Sequence, residues 1–213
     1  MRDSIMEALH SYEITDDRVM EGEIVEDKIV DIRNSLIADE SNQGMLDNGY
    51  FQILENLEVV IHQNHLQLPG NVVVMHPTQM GEVTIPSLYT RIGRKAIKYF
   101  GLPDFTKDFD YKEMTGFLSN RYAFFTSKNP IYTLANQIVL VKNYGLEGRR
   151  YVSAIAIIED PRKVPGYVFE TSPFPVADPQ KLELLTIKHF MSTLGFPPDK
   201  INDANINLQN AAK

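Results

Sequence analysis

Three histidines fall close together in the chain: His62 and His65 within "HQNH", and His76 after a short loop. Three imidazoles can hold zinc and leave a fourth position open for an attacking water, which defines one rival reading, a small metal-dependent hydrolase. The "HExxH" helix signature is absent, and no carboxylate lies near enough in sequence to orient the rings or act as base. His189 falls on the Leu182/Leu185 side of a C-terminal helical stripe, the position of a packed residue. The other candidate for chemistry is the end of "RRYVSAIAIIEDPRKV". There an apolar run from Tyr151 to Ile158 stops in Glu159, Asp160 and Pro161. Adjacent residues on a strand point to opposite faces, so these two carboxylates cannot converge on one substrate as general acid and base. Pro161 bars continued pairing, and the motif reads as the point where a strand leaves the core.

Two binding signatures also fail on inspection. "DESNQGMLDNGY" imitates a calcium loop through Asp39, Ser41, Gln43 and Gly44, but Tyr50 stands where a bidentate glutamate is required. There is no "GxSxG", Walker loop or "GxGxxG", so serine hydrolysis and nucleotide binding have no support. "RIGRKAIK" carries Arg91, Arg94, Lys95 and Lys98, which share a face if the segment is helical. This face suits an acidic protein partner better than sequence-specific nucleic-acid contact. No cofactor or metal is expected.

The elements that must position these side chains follow from periodicity and punctuation. A helix is expected from Asp17 to Ala38, capped by Thr15, Asp16 or Asp17, with Val25, Ile29, Ile32 and Leu36 as its apolar stripe. Its other faces hold Glu21, Glu23, Glu26, Asp27 and Asp31. A second helix is expected through Tyr50, Leu54, Leu57 and Ile61, ending before Pro69-Gly70. "NVVVMH", "EVTI", "RYAFFT", "PIYTLA", "QIVLV" and "RYVSAIAII" read as strands, the last two as a hairpin joined by "KNYGLEG". Asp178, Pro179 and Gly195 bracket a last helix with Leu184, Ile187, Met191 and Leu194 inward. The fold class is therefore α+β, with N-terminal and C-terminal helices packed together and a mainly antiparallel β-region between them. A single domain over 1–213 is expected: a helical part over 1–68, a β-rich part over 71–165, the helix 178–195, and a flexible tail over 200–213.

With 213 residues, 43% apolar and 23% charged, the chain can bury a sizeable core without help from metals or disulfides. It has no cysteine, which excludes thiolate metal sites and cysteine nucleophiles. No signal peptide and no membrane span are read, so a soluble protein is expected. Charge is distributed unevenly. Residues 1–60 hold fifteen Asp/Glu against four Lys/Arg, while the remainder is slightly basic, an asymmetry that reports on partners.

"YTLANQIVLVKN" followed by "RRYVSAIAIIEDPRKV" resembles the pattern in virion neck proteins of tailed phages, especially the crAss-like group, where a strand ends in a "-I-x-E/D-D-P" sequence. "DDRVMEGEIVEDKIVDIRNSLIADE" resembles the first helix of these proteins, and "FPPDKINDAN" is similar to their ending. The resemblance implies a non-enzymatic structural subunit, a ring or adaptor component of the head–tail connector in the virion neck, made in the host cytoplasm. Its implied partners are copies of itself in a ring, commonly twelvefold, the portal protein and neighbouring neck or tail proteins, with double-stranded DNA passing nearby. On this reading Glu21, Glu23, Glu26, Asp27 and Asp31 face the DNA channel. Arg91, Arg94, Lys95 and Lys98 then face an acidic protein surface on the portal or the next ring. A monomeric protein-binding adaptor is the remaining rival.

Overall fold

The computed structural model describes residues 1–11, 22–62, 65–68, 72–75, 80–119, 129–135, 137–142, 150–169 and 171–193. Its helices are α1 (Arg2–Ser11), α2 (Gly22–Gln43), α3 (Met114–Ser119) and α4 (Pro179–Thr193). The strands are β1 (Gln52–Glu58), β2 (Val60–His62), β3 (His65–Leu68), β4 (Val72–Met75) and β5 (Met80–Thr84). They continue with β6 (Ile97–Gly101), β7 (Asp110–Tyr111), β8 (Ile131–Ala135), β9 (Ile138–Lys142) and β10 (Tyr151–Ala156). The fold is α+β, with helices at both ends and mainly antiparallel sheets between. The chain clusters into two compact units, residues 1–49 with 170–213, and residues 50–169.

In the first unit α1, α2 and α4 pack on one another. Val25, Ile29, Val30 and Ile37 of α2 are buried with Ile5 and Leu9 of α1 and Leu182, Phe190 and Met191 of α4. The expected pairing of first and last helices is present, but α4 is rotated. Leu184 is 43% exposed, while Thr186 is fully buried. The hydroxyl of Thr186 donates to the Leu182 carbonyl at 2.8 Å, so a residue that reads as polar enters the core satisfied. Ile32 and Ile187 are only partly buried. Asp178 caps α4 by accepting from the Lys181 amide at 3.0 Å, as its sequence signature requires. Helix α2 outruns the expected stop at Ala38 and ends at Gly44, whose φ of 75° favours glycine. There the Met45 amide donates to the Glu40 carbonyl and the Gly44 amide to the Ser41 carbonyl, a Schellman closure.

The second unit corrects the sequence reading most. No helix runs through Tyr50–Ile61; the chain forms β1 and β2 instead. The physical reason is a bulge. Leu54 pairs with Ala154 and Leu57 with Val152, with a register shift between them. A spacing of three on one face of a bulged strand imitates helical periodicity. Asn56, at φ 55°, is the residue that absorbs the extra step.

The strands form a three-stranded sheet in the order β1-β10-β6, a five-stranded sheet β2-β5-β9-β8-β7, and the hairpin β3-β4. Only β7–β8 is parallel among the described pairs. The expected hairpin of "QIVLV" with "RYVSAIAII" is absent: β9 has β5 and β8 on its two sides, and β10 has β1 and β6. Val83, Val139, Val141, Val152, Ala154 and Ala156 are fully buried. "RIGRKAIK" is not an α-helix either. Thr90–Ala96 is a 3-10 segment kinked at Gly93 (φ 57°, ψ −133°), and Ile97 begins β6. The strand expected at "RYAFFT", the caps expected at Thr15–Asp17 and the tail 200–213 lie outside the described residues.

Candidate functional site

The acidic candidates separate into different environments. Glu23, Asp27 and Asp31 are exposed on α2 at a spacing of four, one ridge about 12 Å long at ~1.5 Å per residue. Ile24, 52% exposed, lies in the same solvent-facing arc. Glu26 is half-buried and accepts from the Arg2 guanidinium at 2.8 Å, so it braces α1 against α2. Glu21 lies outside the described residues.

The basic candidates are all exposed but do not share one face. The kink at Gly93 and the start of β6 send them in different directions. The Arg94 guanidinium lies 4.9 Å above the Tyr111 ring and hydrogen-bonds Tyr132. Burial, with Asp108 adding to it, pushes the Tyr132 phenol up to about 12 against the opposing pull of Arg94. Lys98 sits instead at the register shift between β6 and β10, with its ammonium 5.9 Å from the Phe51 ring.

The second unit exposes an apolar face that the sequence reading missed. On β10, Val152, Ala154 and Ala156 are fully buried on one face; on the other, Tyr151 is exposed and Ile155 half-buried, while Ser153 between them is fully covered, its hydroxyl 3.4 Å from the Pro103 carbonyl. Ile155 lies between Ile53 of β1 and Tyr99 of β6 in register. Ile53 is 62% exposed and Tyr151 48% exposed. The row continues into the loop 102–108, where Phe105 stacks on Tyr99 with centroids 5.1 Å apart.

That loop is pinned. Tyr99 Oη lies 2.9 Å from the Lys107 carbonyl and 3.1 Å from that of Leu102. A Cβ on Gly101 would come within 2.1 Å of the Lys107 carbonyl, so only glycine admits the loop there. Phe105 is held at φ 57° at its tip, a conformation few bulky residues adopt. The part legible in the sequence is Tyr151 and Ile155 on one side of an apolar strand. Ile53 could not be placed on this face without the β1–β10 register.

The candidates for chemistry are not brought together. His62 Nε2 lies 2.8 Å from Glu82 Oε2, the approach of an ion pair without hydrogen-bond alignment. The side chains of His65 and His76 lie outside the described residues. Among the described residues no group of three His, Asp or Glu converges. Asp160 serves structure. Its carboxylate accepts from the Arg162 amide at 3.1 Å and from that guanidinium at 2.9 and 3.1 Å, capping the 3-10 turn Pro161–Lys163. Burial alone raises its pKa, but the Arg162 hydrogen bonds and charge outweigh that and hold it below the usual value. Lys142 is buried, with its ammonium donating to the Phe117 carbonyl and 4.2 Å from the Phe117 ring centroid, which closes the end of α3. Among the described residues no helix is long and apolar enough to cross a membrane. No protein-family model matches the chain, and no curated protein is significantly similar to it.

Proposed function

We propose that this chain is a structural subunit of a tailed-phage virion, a ring or adaptor component of the head–tail connector around the DNA channel. The observation that carries the reading is the outer face of the β1–β10–β6 sheet, where Ile53, Ile155, Tyr99 and Phe105 run as one row. Solvent-facing apolar rows of this kind mark protein contacts. The acidic ridge of Glu23, Asp27 and Asp31 on α2 supports the same reading. The resemblance of "EDPRKV" and its preceding strand to neck proteins supplies the setting. Partners on this reading are further copies of the chain, the portal and adjoining neck proteins, with DNA nearby but not held.

Electron microscopy of virions or of the concentrated protein tests it. Closed rings assign the chain to the connector; strictly monomeric protein without rings, in particles or alone, removes that assignment in favour of an adaptor. Metal analysis decides the hydrolase reading. Stoichiometric zinc lost on His76→Ala would favour it over a structural role.

A further inference from the structure

Deepening the connector reading on which it rests, we propose that the outer face of the β1–β10–β6 sheet docks a segment of a different protein, one in which Lys or Arg flanks an apolar or aromatic side chain. The apolar part of the face is Ile53, Tyr151 and Phe105, all exposed, with Ile155 and Tyr99 linking Ile53 to Phe105. Four exposed carboxylates border it. Glu55 follows Ile53 by two residues on the same side of β1, and Glu58 is in register with Tyr151. Asp104 and Asp108 belong to the loop that carries Phe105. Their field reaches the face: burial first, then Asp108 and Asp104, raise the Tyr99 phenol above its ordinary pKa. Only two ammonium groups oppose these four carboxylates on the face. Lys107 donates to Asn129 Oδ1 at 3.2 Å, and Lys98 sits at the Phe51 end of the row. The face is net negative.

That sign selects the occupant. An acid-rimmed face repels phosphate, so neither duplex DNA nor an anionic lipid surface fits it. It also repels the first unit of a second copy, because residues 1–49 with 170–213 carry eighteen Asp/Glu against eight Lys/Arg. Of the bases at 91–98 on a copy, Arg94 is held against Tyr111 and Tyr132, and Lys98 borders this same face. The cations must come from another protein. An apolar anchor with bases beside it satisfies both parts of the face, displacing water from the row while its cations meet the carboxylates. The Phe105 loop is held in advance by Tyr99 and by Asp104, which accepts from the Thr106 amide at 3.1 Å and from its hydroxyl at 2.7 Å. Little ordering is left for binding to supply.

Short random peptides on beads, selected on the wild-type protein after depletion on Ile53→Asp, test this. The expected winners carry Lys or Arg next to Phe, Tyr, Leu or Met. Resynthesised, the strongest should bind Ile53→Asp, and separately Glu55→Lys with Glu58→Lys, at least about tenfold more weakly than wild type. Binding to Glu23→Lys with Asp27→Lys, on α2, should be unchanged, and affinity should fall between low and molar salt. Winners rich in Asp or Glu, winners without charge, or no winner that depends on Ile53 overturn the proposal. So does self-association of the wild type that is lost both on Ile53→Asp and on Arg91→Glu with Lys95→Glu, which assigns the face to a second copy. Rings in micrographs without basic-apolar winners remove this docking face and leave the connector reading standing. Such winners without rings keep the docking face, on an adaptor.

Discussion

Arg33 and His189 show how single residues set the first unit's stability. The Arg33 side chain is fully buried, its Nε donating to the Pro175 carbonyl at 2.6 Å with Phe174 5.9 Å from the guanidinium. It ties the segment before α4 to α2. Arg33→Met leaves that carbonyl without its donor in a dry site and should lower stability by about 1–3 kcal/mol, read by chemical denaturation. His189 has its pKa lowered, first by burial and then by Lys28, with Asp31 opposing. The unfolded chain therefore binds the proton more readily than the folded one. Stability is full above the ordinary histidine pKa and declines as pH falls from there through the lowered folded value. His189→Gln should flatten the melting temperature across that acid window; an unchanged slope would assign the dependence elsewhere. At the sheet, Gly101→Ala forces its Cβ onto the Lys107 carbonyl. A loss of about 1–3 kcal/mol is expected, with faster proteolysis within residues 102–107.

At the scale of elements, the rotation of α4 makes the sharpest prediction. Phe190 is 7% exposed and Leu184 43% exposed, although both belong to apolar residues at helical spacing. Phe190→Ala should cost about 3–5 kcal/mol. Leu184→Ala should stay within about 0.5 kcal/mol, as surface substitutions do. Parallel thermal melts decide this, and equal losses would mean that the helix packs on the other stripe. The β-region is organised by a bulge at each flank of β10, one against β1 and one against β6. Bulges re-aim side chains, and here the second leaves Lys98 beside Phe51 at the edge of the apolar row.

Across the whole molecule the dominant quantity is the sign of charge, −7 in total with the acids gathered towards the first unit. Binding to duplex DNA rests largely on neutralising phosphates with Lys and Arg. The described bases are instead dispersed, with Arg94 engaged by Tyr111 and Tyr132. Mobility-shift titrations at about 0.1 M salt, where screening acts over roughly 10 Å, should therefore show no retained DNA. A shift abolished by Arg91→Glu with Lys95→Glu would assign that segment to phosphate contact and revise the reading of the bases.

What the sequence determined by itself were the features written locally. Asp178 and Pro179 start a helix because a carboxylate satisfies an orphan amide and proline fills the first turn, whatever surrounds them. The strands at "EVTI", "PIYTLA" and "QIVLV" are carried by β-branched residues bounded by turn formers. Strand β10 already ends at Ala156, ahead of the expected exit, and Pro161 instead opens the 3-10 turn Pro161–Lys163. Tertiary structure decided everything that depends on a partner distant in the chain. Residues 50–61 read as helical until the β10 register shows that their spacing of three crosses a bulge. Thr186 is buried because α4 packs on the other helices with that face inward, its hydroxyl already satisfied within α4 by the Leu182 carbonyl. The apolar row draws Ile53, Tyr99 and Ile155 from three strands far apart in sequence, and hydrogen-bonded register alone makes them neighbours.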